Sequence, residues 1–78
     1  MRAHMKLYAI KNPNGKFICH NNPSLIAGSK KTAWIVSTQE DDDLWGIWIV
    51  GRGKEAWIKD AEKAGYSCVE VEMVEVKR

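Results

Sequence analysis

The turn sequence Asn12-Pro13-Asn14-Gly15 is the feature that most constrains what this chain can fold into. An Asn side chain starts a turn by bonding its own backbone, Pro presets φ at the second position, and Gly accepts a positive φ. Residues 6–11 (KLYAIK) and 17–20 (FICH) flank it, and apolar residues alternate in the first of these segments. Alternation of this kind is typical of strands, so the pattern predicts a tight hairpin.

The next 30 residues predict a second hairpin. Residues 21–29 form a loop whose Leu25 and Ile26 are expected to lie against the core. Residues 32–38 (TAWIVST) are rich in β-branched and aromatic side chains, which favours a strand, although a short helix starting at Ser29 is the alternative. The polar break at 39–43 (QEDDD) precedes another strand-like run at 44–50 (LWGIWIV).

The remaining segment predicts one helix and one long strand. Residues 54–64 place Trp57, Ala61 and Ala64 on one helical face, and Gly65 is a typical stop. Residues 66–76 alternate as a strand, with a change of phase near 73–74 that predicts a bulge. The order ββββαβ is α+β: a small antiparallel sheet of about four to five strands with one helix packed on one face.

The length of 78 residues limits the chain to a single domain, 1–78, and we expect residues 1–4 to be a tag or a disordered extension. Two short sequences, KTAWI at 31–35 and KEAWI at 54–58, are nearly identical. The first is predicted as strand and the second as helix, because only the second has polar partners at helical spacing. A true internal repeat would have a longer self-similarity.

Apolar side chains on both faces of the predicted sheet supply the main functional prediction. In a strand at 44–50, the side chains of Trp45, Ile47 and Ile49 would point away from those of Leu44, Trp48 and Val50. One helix covers only one face, so we expect Trp45, Ile47, Ile49 and also Trp34 to form a partner-binding surface. The competing interpretation is that sheet curling and loop packing enclose these side chains.

Catalytic and metal chemistry have little support in the sequence. Cys19 and His20 are adjacent and would point to opposite faces of a strand, and Cys68 is expected to be a small core residue. No cofactor motif is present, and no enzyme is predicted. The segment around Arg52 and Lys54 has glycines and cations before a helix, so an anion or nucleic-acid contact there is a weaker prediction.

The charge and the apolar runs limit the class of partner. The net charge of +2 is too small to indicate nucleic acid by itself. No apolar run is long enough to span a bilayer and no secretory pattern precedes the cysteines, so we expect a cytoplasmic protein without a membrane partner.

The opening LYAIKNPNGKF resembles small phage and prophage accessory proteins that begin with a Tyr-x-Ile-x-Asn-x-x-Gly-Lys-Phe hairpin. The matching residues are Tyr8, Ile10, Asn12, Gly15, Lys16 and Phe17. The segment LWGIWIV departs from this pattern. The resemblance implies a phage-encoded protein that acts on its bacterial host by binding, as anti-CRISPR proteins and other anti-defence inhibitors do.

Two functions follow as hypotheses. The first is a non-enzymatic binding protein that occupies a surface of a host protein complex, or that self-associates as a homodimer, with aromatic and aliphatic anchors. The alternative is a nucleic-acid-binding module that stacks bases on sheet aromatics and meets phosphates through the Arg52/Lys54 loop.

Overall fold

A computed structural model describes residues 6–51 and 56–71 of the chain. Their regular elements, in chain order, are β1 (Leu7–Lys11), α1 (Lys30–Ser37), α2 (Asp42–Val50), α3 (Ala56–Lys63) and β2 (Ser67–Val71), with short 3-10 helices at Ile18–Asn21 and Pro23–Leu25. The protein is α+β as predicted, but within this part of the chain it has two strands and three helices. The predicted sheet of four to five strands under a single helix is therefore wrong.

The sheet joins the two ends of the described chain. Strands β1 and β2 pair antiparallel, with Leu7 opposite Val71 and Lys11 opposite Ser67. Both strands were predicted, and β2 is confirmed over Ser67–Val71. The predicted bulge near 73–74 lies outside the described residues.

The predicted turn is present and is held by Asn12. Its Oδ1 atom accepts hydrogen bonds from the backbone N–H groups of Asn14 (2.9 Å) and Lys16 (3.0 Å). Gly15 has a φ of +82°, which an L side chain rarely adopts. The local turn chemistry therefore operates as the sequence predicts.

The second arm of the predicted hairpin is not a strand, because another segment occupies the edge of β1. Phe17 forms a single bridge with Lys11, and the chain then enters a 3-10 helix. Further along β1, Tyr8 exchanges both backbone hydrogen bonds with Ala27, at 2.8 and 3.0 Å. A loop residue thus takes the pairing positions that the hairpin arm needed. Leu25 of the same loop is buried, as predicted.

Helix α1 replaces the predicted strand at 32–38 and confirms the alternative of a helix starting at Ser29. Ser29 is the N-cap, and its Oγ accepts from the backbone N–H of Thr32 at 3.2 Å. β-Branched residues disfavour a helix by at most about 0.7 kcal/mol each relative to Ala. An N-cap is worth about 1 kcal/mol, and the burial of Ala33 and Trp34 adds more, so the helix is stable despite its composition.

Helix α2 replaces the predicted strand at 44–50. Its N-cap and first turn lie in the polar segment 39–43, which was predicted to connect the two strands of the second hairpin. Asp41 is the N-cap, with its Oδ1 accepting from the backbone N–H of Leu44 at 3.0 Å. Asp42 and Asp43 lie in the first turn, where negative charge is favourable next to the helix dipole. The acidic cluster therefore starts a helix.

Helix α3 is confirmed over Ala56–Lys63, and Gly65 ends it with a φ of +106°. Trp57 of α3 meets Trp34 of α1 edge to face, with ring centroids 6.1 Å apart. The tryptophans of KTAWI and KEAWI thus both lie on helices and contact each other, so the prediction that the two sequences adopt different structures is wrong.

One hydrophobic core lies where α1 packs on the sheet and α2 packs on α3. Its buried members come from β1, the loop that pairs with β1, all three helices and the residue before β2. They are Ile10, Ala27, Ala33, Trp34, Leu44, Trp57, Ala61 and Tyr66.

Candidate functional site

Helix α2 is apolar around most of its circumference, so it exposes apolar side chains wherever it faces away from the core. Leu44 is fully buried, and Ile47 and Trp48 pack against the core from the same side. The strand interpretation grouped Ile47 with Trp45 and Ile49. The helical period of 3.6 residues instead turns Ile47 inward with Leu44, which corrects that part of the predicted surface.

The outward side of this helix forms what we call the α2 surface, defined as Trp45, Gly46, Ile49 and Val50. The exposed fractions are 43% for Trp45, 48% for Ile49 and 89% for Val50. Gly46 is also exposed, between the larger side chains. Exposed apolar side chains grouped on one side of a helix often mark an interaction site.

The indole of Trp45 is held in a defined position by its neighbour on the helix. It stacks on Trp48, with ring centroids 4.9 Å apart and an interplanar angle of 25°. Trp48 in turn packs against the core. A large ring that is already ordered loses little conformational entropy when a partner covers it, which suits an interface anchor.

Trp34 is not part of this surface. It is only 3% exposed and lies in the core against Trp57, so a partner cannot reach it in this structure.

Val50 and Gly46 are the members that the strand interpretation missed. The signal that identifies them is the capping Asp41 before an apolar run, because it sets helical rather than alternating geometry.

The predicted anion contact at Arg52 and Lys54 falls on residues 52–55, outside the described part of the chain, and stays a prediction.

A cavity of about 440 Å³ lies between the Asn12 turn, the start of α2 and the end of α3. Its best acceptors already bond within the chain. Asp41 Oδ1 accepts from the Tyr66 hydroxyl at 2.7 Å as well as from Leu44, and Asn12 Oδ1 accepts from the two turn N–H groups. Burial, and then the bond to Asp41, raise the pKa of Tyr66 well above its usual range. These bonds account for the Asn12, Asp41 and Tyr66 side chains in the lining as part of the fold.

The two cysteines lie apart from any metal-binding cluster among the described residues. Cys19 and Cys68 are both partly buried free thiols. Burial raises the pKa of Cys68, which disfavours the reactive thiolate. In residues 6–51 and 56–71, no three His, Cys, Asp or Glu side chains come together in an arrangement suited to a metal ion.

None of the described helices is long and apolar enough to cross a bilayer, and the longest of them, α2, has nine residues.

No family model, curated protein or solved structure gives a significant match.

Proposed function

We propose that this protein is a non-enzymatic binding module that attaches to another protein through the α2 surface. The observation that carries the proposal is the exposure of Trp45, Ile49 and Val50 together on one side of a helix whose other side is built into the core. Fully burying an exposed large apolar side chain contributes about 1.5–3 kcal/mol. Val50 is almost fully exposed and Trp45 and Ile49 are about half exposed, so covering this surface recovers a part of that value for each and is favourable.

The proposed biological context comes from the sequence LYAIKNPNGKF at residues 7–17. Its resemblance to phage and prophage accessory proteins supports a phage-encoded protein that acts in the bacterial cytoplasm by occupying a surface of a host complex, as an anti-defence inhibitor does. The geometry fits that role, because surface occupation needs an anchored apolar patch rather than a catalytic centre.

The nucleic-acid alternative gains no observation in its favour. It needs open aromatic side chains on a sheet, and in the described strands the aromatic residue is Tyr8, which is half-buried and has Lys30 Nζ 5.8 Å from its ring centroid. Trp34 and Trp57 are buried on helices.

The experiment compares wild type with Ile49→Asp and with a matched control, Ile35→Asp. Ile35 lies on α1 and is 41% exposed, close to the 48% of Ile49, so both variants place a charge at a half-exposed isoleucine on a helix. Tagged proteins are used for capture from a bacterial lysate. Proteins retained by wild type are then purified and titrated directly against all three forms by isothermal calorimetry.

We expect a protein that binds wild type and Ile35→Asp alike but binds Ile49→Asp at least about tenfold more weakly, the effect of charging a buried anchor. Far-UV circular dichroism checks that both variants remain folded. If every titrated protein binds the two variants equally well, the α2 surface is not the docking site and the proposal fails.

A further inference from the structure

We draw no further inference here: the strongest candidate, the cavity between the Asn12 turn, the start of α2 and the end of α3, carries nothing because its Asn12, Asp41 and Tyr66 side chains already bond within the chain, and what remains is an acidic helix N-terminus with nothing among the described residues to indicate a ligand.

Discussion

Replacing Gly51 by Ala should destabilise the protein, whereas the same replacement at Gly46 should stabilise it. Gly51 follows α2 with φ −94° and ψ 10°, which Ala adopts without strain, so its backbone conformation is not the obstacle. The obstacle is packing. The new Cβ would lie 2.5 Å from Trp57 Cβ and 3.1 Å from Trp57 Cα, and neither atom can move without moving α3.

The magnitude follows from that distance. Carbon atoms in contact are about 3.5 Å apart, so α2 and α3 must separate by about 1 Å at this point. Overpacking of this kind costs about 1–3 kcal/mol, and the lower entropy of Ala in the unfolded chain offsets about 0.4–1 kcal/mol. The free energy of unfolding of Gly51→Ala should therefore fall by about 1–2 kcal/mol. Gly46→Ala meets no atom within 4 Å and should gain about 0.8–1 kcal/mol from helix propensity.

The assay is urea unfolding followed by far-UV circular dichroism at about 2 μM. With an m-value of about 1 kcal/mol/M for a domain of this size, the midpoint should fall by about 1–2 M for Gly51→Ala and rise by about 1 M for Gly46→Ala. A midpoint for Gly51→Ala at or above that of wild type would refute the reasoning, because it would mean that α2 and α3 do not approach as closely as described.

Two further predictions test the burial of Trp34 against the exposure of Trp45, and the contribution of the Tyr66 hydroxyl to stability. Trp34→Ala should lower the free energy of unfolding by about 3–5 kcal/mol, because it leaves a cavity in the core. Trp45→Ala should lower it by only about 1 kcal/mol, through lost stacking on Trp48. Similar losses for the two variants in urea unfolding would contradict the assignment of Trp34 to the core and Trp45 to the surface. Tyr66→Phe should lower it by about 1.5–3 kcal/mol at pH 7, through loss of the bond to Asp41. Because the pKa of Tyr66 is raised in the folded state, the stability that the neutral hydroxyl provides is complete below its ordinary pKa of about 10 and is lost as the pH rises above it. The difference between wild type and Tyr66→Phe should therefore shrink between about pH 9 and pH 11, and a constant difference would rule this out.

The features that could be predicted from the sequence are those decided by neighbouring residues. The Asn12 turn depends on one side chain that bonds the backbone two and four residues later. Helix α3 was identified because its apolar and charged residues recur at helical spacing, and Gly65 ends it through its own conformational freedom. Strand β2 is likewise predictable from neighbouring residues, since Val69 and Val71 alternate with Glu70.

The two wrong strands show where local reasoning stops. Residues 32–38 and 44–50 contain side chains that favour strands by a few tenths of a kcal/mol each, and the caps at Ser29 and Asp41 together with burial outweigh them. Both caps are visible in the sequence, and an N-cap residue before an apolar run favours a helix.

The tertiary structure alone decided which elements pack and pair with each other. The apolar character of 44–50, and hence an exposed apolar surface near Trp45 and Ile49, was evident from composition. Which side chains are outward depends on the period of the backbone: the predicted strand grouped Ile47 with the outward residues, whereas the helix packs Ile47 partly buried against the core and exposes Val50. Similarly, the loop residue Ala27 pairs with Tyr8 in place of the predicted hairpin arm. The pairing of Ala27 with Tyr8, and the choice of which side of α2 meets the core, depend on contacts between residues distant in sequence, and such contacts exist only once the chain has folded.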